Sequence, residues 1–238
     1  MTRVWIPNTI TTGNLLLGFI SVIFTSRGDL FGYVTACILI LGAALLDGID
    51  GPVARGLKVD SPIGKELDSL ADCVTFGVAP GYLAYKTYLA GIIIIPLFGK
   101  SLDLGIFIAS IFPICAAYRL ARYNVNSDPN SFAGLPSPIA GVIIALIPIS
   151  FVNIEIPKLL FAIFYIVIAL LMVSTVKYSK PQIYLKNNIH GIKLIILIIL
   201  LLIILVVLRQ WIVLIFISLY IFSGIVNFII QFIQEHKY

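Results

Sequence analysis

DGIDGPVARGLKVDSPIGKELDSLAD, residues 47–72, is the stretch on which the reading of this chain turns. Six of the 11 Asp and Glu in the 238-residue chain stand in it: Asp47, Asp50, Asp60, Glu66, Asp68 and Asp72. On both sides the sequence is almost unbroken Ile, Leu, Val, Ala and Phe. Stepped along a helix from Asp47, the residues Asp50, Gly51 and Ala54 share one stripe, because positions three, four and seven apart stack on one face. Arg55 is one position further round, and Gly56 suits the place just past a helix end. Ser61 followed by Pro62 reads as an N-cap and the first position of a second helix. Gly64, Asp68 and Asp72 then recur every four residues and form a second stripe.

The chain around this stretch is that of an integral membrane protein. It is 60% hydrophobic and 11% charged, with a mean hydropathy of +1.08, whereas charged residues make up ~25% of a soluble domain. A helix needs ~17–25 apolar residues to cross the hydrocarbon layer. Eight segments qualify, roughly 9–26, 30–55, 62–89, 102–125, 137–153, 156–176, 190–208 and 211–233. The expected fold is therefore all-α. The first segment follows a short start with one Arg but lacks a small-residue cleavage site, so it is read as a retained helix.

Lys and Arg set the orientation. With both ends inside, eleven of the 16 fall on the cytoplasmic side (Arg3, Arg55, Lys58, Lys65, Arg119, Arg122, Lys177, Lys180, Lys186, Lys193 and Lys237) and five outside (Arg27, Lys86, Lys100, Lys158 and Arg209). The acidic stretch is then cytoplasmic. A net charge of +5 suits contact with anionic lipid headgroups, and no basic block calls for nucleic acid. Cys37, Cys73 and Cys115 lie inside spans without metal-ligand spacing and read as packing residues. His190 and His236 are isolated, and Trp5 and Trp211 suit interfacial anchoring. The last two spans carry almost no ionisable residue and are assigned to packing, lipid contact or an oligomer interface.

A connection as short as 56–61 makes the two acidic helices antiparallel neighbours, so that both stripes face each other. Each Asp near the bilayer centre costs ~2.5–3.5 kcal/mol, and four together repel one another unless protonated or neutralised. Oxygen-only donors favour hard divalent cations, Mg²⁺, Mn²⁺ or Ca²⁺, over zinc. Two such ions balance four carboxylates, and pairs of metals ~3.5–4 Å apart serve phosphoryl transfer. Gly51, Ala54 and Gly64 leave room for a bulky phosphate-bearing substrate, and Arg55 offers two donors to phosphate. The competing reading is a divalent-cation pathway, which would distribute its acids over several helices.

The pattern Asp50-Gly51-x2-Ala54-Arg55-x8-Gly64-x3-Asp68-x3-Asp72 resembles, without a mismatch, the signature of the CDP-alcohol phosphotransferases, with Asp47 in the acidic position three residues earlier. The resemblance implies a six-helix membrane core, usually a homodimer, in which a CDP-linked lipid gives its phosphatidyl group to an alcohol and CMP leaves. The expected architecture is then that core over residues 1–189 plus two further helices over 190–238. The same resemblance implies Asp47, Asp50, Asp68 and Asp72 as metal ligands, with Asp72 also the general base. Gly51, Ala54, Arg55 and Gly64 would line the CDP site.

The stretches ELDSLADCVTFGVAP (66–80), RLARYN (119–124), GLPSP (134–138), LMVSTVKYSK (171–180) and IPNTITTGNLLLGF (6–19) are similar to the phosphatidylserine-forming branch of that family. L-serine is then the implied acceptor and CDP-diacylglycerol, or its ether-lipid equivalent, the donor. Glycerol phosphate, inositol phosphate or an amino alcohol stays open as the acceptor. Serine's carboxylate requires a basic partner, for which Arg119 and Arg122 are the candidates, or else they are positive-inside anchors. Asn8, Thr11 and Asn14 either reach the cytidine or cap the first helix. Thr75, one turn beyond Asp72, either touches the acceptor or bonds its own helix. Pro52 stands where many relatives carry a basic residue, and it frees the Gly48 carbonyl.

Overall fold

The computed structural model describes residues 4–59, 61–97, 100–125, 131–152, 155–175 and 177–179. Within them lie six helices: α1 (Trp5–Ser26), α2 (Leu30–Leu57), α3 running from Pro62 to Leu89, α4 (Gly105–Val125), α5 (Ser137–Ser150) and α6 (Lys158–Val173). The six correspond to the first six expected spans. The two expected over 190–233, with His190, Trp211 and His236, lie outside the described residues. By length and composition α1, α2 and α4 are able to cross a membrane, and α5 and α6 are shorter apolar helices.

Two short antiparallel strand pairs depart from the all-α expectation. β1 (Ile94–Leu97) pairs with β2 (Lys100–Asp103), with Ile94 opposite Asp103, and β3 (Ser131–Ala133) pairs with β4 (Lys177–Ser179). Both join helix ends. Ile93–Ile95 is β-branched and Pro96 removes a backbone donor, so this run favours extended structure over another helical turn.

α1 is built inside out relative to a soluble helix. Its buried residues are Pro7, Thr11, Asn14, Gly18, Ser21 and Thr25, spaced by three and four, while Leu16, Phe19 and Ile23 are exposed. Small and polar residues between helices with apolar residues outward is the arrangement a lipid solvent favours. The small face lets α1 lie close along α2, where the Ser21 hydroxyl donates to the Ala36 carbonyl at 3.1 Å.

Helix ends follow the local sequence. The Asp29 carboxylate caps α2 by accepting from the Gly32 N–H at 2.7 Å, and the Ser61 hydroxyl caps α3 by accepting from the Gly64 N–H at 3.0 Å. The Gly32 bond, helped by Arg27, holds the Asp29 carboxyl below the usual range. Gly56 does not end α2 as expected. The helix continues to Leu57, and Lys58 takes the left-handed conformation at φ 56°. The N–H groups of Lys58 and Val59 return to the carbonyls of Arg55 and Ala54; this closure satisfies the last turn at a cost that Lys bears instead of Gly. Pro52 is accommodated inside α2.

α3 is α-helical over Pro62–Asp72 and Ala79–Ala84 and π-helical over Cys73–Val78 and Tyr85–Leu89. Pro80 has no N–H to give the Phe76 carbonyl, and the wider turn absorbs the mismatch, with the Ala79 N–H reaching back to Val74. Such π turns cluster at functional sites, and this one begins directly after Asp72. Beyond it, Phe112, Phe161, Tyr165 and Met172 form a core between α3, α4, α5 and α6, fastened by the Tyr165 hydroxyl donating to the Ala109 carbonyl at 2.7 Å.

Candidate active site

The acidic stripes of α2 and α3 meet. The Pro62–Asp72 segment of α3 lies chiefly against α1, and further along α3 packs directly on α2, where Phe76, Ala79 and Leu83 share a core with Ala36, Cys37 and Ile40, so the two acidic helices are neighbours as expected. α1 lies along both, its small residues admitting both partners. Oxygens of Asp47, Asp50 and Asp68 lie within 4.8 Å of one another. Asp72 comes within hydrogen-bond reach of Asp47, and Asp68 within reach of Asp50.

α1 supplies the polar contacts on the third side. The Thr11 hydroxyl donates to Asp50 Oδ2 at 2.9 Å, and Asn14 Nδ2 lies 3.4 Å from Asp72 Oδ1. Asp50 also accepts from the Gly51 N–H at 2.6 Å. Asp50, Asp72 and Arg119 are each only 7% exposed. Two like charges about 4 Å apart repel by roughly 4 kcal/mol near a protein surface, so carboxylates this crowded ask for cations. Asp68 Oδ1 is buried without a hydrogen-bond partner among the described residues. An all-oxygen cluster with an unsatisfied ligand atom fits a hard divalent ion.

Beside the cluster opens a cavity of about 490 Å³, lined by Pro7, Asn8, Thr11, Asp50, Gly51, Ala54, Arg55, Val59, Ser61, Pro62, Gly64, Lys65 and Asp68. Six of the seven residues expected around CDP are in that lining. Asn14 is not; it lies beneath, against Asp72. None of Asn8, Thr11 and Asn14 caps α1, since the helix already begins at Trp5 and its N-terminus has no side-chain cap. The glycines are there for space. A Cβ at Gly51 would sit 3.3 Å from the Arg55 guanidinium, and one at Gly64 would sit 3.0 Å from Asn8 Oδ1.

The residues expected at the acceptor separate. The Arg119 guanidinium donates to Ser137 Oγ at 2.6 Å, and its charge acts on both Asp47 and Asp72. Arg122, one turn later, donates to the carbonyls of Met172, Val173 and Ser174 at the end of α6. It anchors a helix C-terminus, where a cation is favoured. The Thr75 hydroxyl bonds neither its own helix nor the cavity, but donates to the Asn14 carbonyl on α1 at 3.1 Å. Sequence reasoning passed over Lys65 and Ser137. Lys65 lies between two signature positions and carried no separate signal; Ser137 stood inside the GLPSP stretch, with nothing to indicate which residue it meets.

Known proteins resemble this chain over most of its length. The family model described as CDP-alcohol phosphatidyltransferase matches residues 4–177. The chain is 34% identical over 236 residues to the CDP-diacylglycerol–serine O-phosphatidyltransferase of Helicobacter pylori (strain ATCC 700392 / 26695), covering 96% of this chain and 92% of that protein. It is 34% identical over 189 residues to the protein of the same name from Bacillus subtilis (strain 168), covering 79% and 97%. With the archaetidylserine synthase of Methanothermobacter thermautotrophicus it shares 31% over 178 residues, covering 74% and 70%. A match over 96% of the chain runs into residues 190–238, which the motif-based resemblance left out.

Proposed function

The chain belongs to the CDP-alcohol phosphatidyltransferase family, and from this we propose that it transfers the phosphatidyl group of CDP-diacylglycerol, or an ether-lipid equivalent, to the hydroxyl of L-serine. The products are phosphatidylserine, or its ether-lipid counterpart, and CMP. One observation carries the proposal: carboxylates of α2 and α3 converge on the floor of a cavity walled by Asn8, Thr11, Gly51, Ala54, Arg55 and Gly64. The names of the relatives supply the acceptor, and the bacterial and archaeal names together leave the lipid chains open.

Asp47, Asp50, Asp68 and Asp72 would hold two divalent cations, Mg²⁺ or Mn²⁺ with Ca²⁺ as a further candidate. When bound, the ions supply neutralisation of the diphosphate and of the oxygen that leaves with CMP. The protein's own groups do the rest. Arg55 and the small residues around it seat the diphosphate, Arg55 through two parallel donors. Arg119 takes the serine carboxylate, held in place by Ser137. Asp72 accepts the proton of the serine hydroxyl as its oxygen attacks the phosphatidyl phosphorus. The bond from that phosphorus to the CMP oxygen breaks, and CMP departs with the electron pair.

The site opens to the cytoplasm, where the eleven-to-five distribution of Lys and Arg puts both termini. The domain at 1–189 works as a homodimer, following the family pattern. The test is CMP release by purified protein in detergent with CDP-diacylglycerol and Mn²⁺, offering serine, glycerol phosphate, inositol phosphate or no acceptor. Release that depends on serine and stops with EDTA is expected. Release with another acceptor alone would overturn the serine assignment, and turnover that survives EDTA would overturn the metal site.

A further inference from the structure

Asn14 is a polar residue sealed inside a membrane helix bundle, and phosphatidyl transfer as outlined leaves it no task. Its exposure is 0%. Nδ2 approaches Asp72 Oδ1 at 3.4 Å, and the backbone carbonyl accepts from the Thr75 hydroxyl at 3.1 Å. An ionised carboxylate only accepts hydrogen bonds, so the amide must turn its NH₂ toward Asp72 and its Oδ1 away. That Oδ1 is buried and has no hydrogen-bond partner among the described residues. A buried acceptor without a donor is a standing cost to the folded state. Leucine has nearly the same shape, is at home between membrane helices and would remove that cost. The chain therefore keeps an amide where stability alone favours a hydrocarbon.

We propose that Asn14 is a positioning residue for Asp72. Its amide holds Oδ1 of the carboxylate, which fixes the rotation of the group and leaves the other oxygen to face the acceptor hydroxyl. A neutral donor suits this work. A Lys or Arg in the same place would orient the carboxylate equally well but would stabilise its charged form and weaken it as a base. The distance is long for a hydrogen bond, as catalytic contacts often are before substrate enters.

The surroundings are built to keep the pair in register. The Thr75 hydroxyl ties α3 to the Asn14 carbonyl one turn past Asp72. A Cβ on Gly18 would collide with Thr75, including its backbone, so glycine there lets the two helices approach until Asn14 reaches Asp72. Thr75 itself lies within the π turn over Cys73–Val78. The inference rests on the proposed transferase reaction with Asp72 as base.

The test is Asn14→Leu in the full-length protein, read by thermal unfolding, by steady-state kinetics and by calorimetric titration with Mn²⁺. Loss of a group that orients a metal or catalytic residue typically lowers activity or metal affinity about 10–100-fold. The expected result is kcat lower by that factor at unchanged KM for both substrates, with Tm equal to or above that of the parent. A residue with only a structural role gives the opposite pattern, a lower Tm and activity lost in proportion to folded protein, and that result overturns the proposal. So does an unchanged kcat. Should the parent protein not use serine, the transferase assignment fails by itself. Mn²⁺ affinity then decides the matter: about 10–100-fold weaker binding in the leucine variant upholds Asn14 as the group that orients Asp72, and equal binding rejects it.

Discussion

Two cavities lie at opposite ends of the helix bundle. One, of about 610 Å³, is lined by Leu30 and Tyr33 at the start of α2, by Thr87, Tyr88 and Phe151, and by Glu155 and Lys158 before and at the start of α6. The other, of about 490 Å³, sits at the far end of α2 beside Asp50, Arg55 and Asp68. In the larger cavity three of the polar groups have settled partners. Tyr33 donates to the Lys86 carbonyl at 3.4 Å, Thr87 to the Leu83 carbonyl at 2.8 Å and Lys158 to the Ala90 carbonyl at 2.7 Å. In the smaller one, carboxylates crowd together and a buried Asp68 oxygen lacks a partner among the described residues. Volume therefore does not identify the site. Polar groups held in an arrangement that the protein alone leaves unsatisfied do.

Substitution separates the two ends most sharply at Asp72. Asp72→Asn is expected to lower turnover by about 10²–10⁴-fold, the worth of a general base, in a protein that still folds. Tyr33→Phe combined with Thr87→Val at the other end should leave turnover within about twofold, as for substitutions away from a site. Equal losses at both ends, measured as CMP release, would erase the contrast. Next in size is Arg119→Met. Losing a charged hydrogen-bond partner worth ~1.5–3 kcal/mol should raise KM for serine about 10–100-fold while KM for the CDP-lipid holds, and the reverse split would move Arg119 to the donor.

A smaller effect is expected where α1 meets α3. Gly18→Ala should cost about 1–3 kcal/mol of stability through overpacking against Thr75, visible as a lower Tm in detergent; a neutral result would show that the two helices yield there. The smallest belongs to the far end. Asp103 accepts from the Gly91 N–H, from the Gly105 N–H and from the Tyr85 hydroxyl, and these bonds, Gly91 first, hold its carboxyl below the usual 3.8. With the folded value depressed, its contribution is complete above the unfolded value near 4 and fades as pH falls through the folded one. Asp103→Asn should therefore lower Tm slightly at neutral pH, by under about 1 kcal/mol for so exposed a group, and the gap to the parent should close on acidification. A gap that widens in acid would reverse the sign.

The six described helices were legible because lipid demands long apolar runs and Ser61-Pro62 and the Pro and Gly positions punctuate them. The signature located the carboxylates because helical spacing is rigid over one or two turns. What was not legible depends on contacts between segments. Gly56 looked like a helix end, yet the closing hydrogen bonds placed the left-handed residue at Lys58. Arg119 and Arg122 looked equivalent three residues apart, yet they point to different neighbours: one toward Ser137 and the carboxylates, the other onto the end of α6.

By itself the sequence determined that this is a membrane-embedded, mostly helical chain, and which helical stripes carry its carboxylates, because those properties follow from composition and from periodicity within one helix. Only the tertiary structure decided that α1 packs along both acidic helices, that Asn14 meets Asp72 and not the cavity, and that Arg122 serves a helix end. Those outcomes depend on how closely the small residues of α1 let three helices approach. Such a distance is a property of packed surfaces, and no single segment carries it.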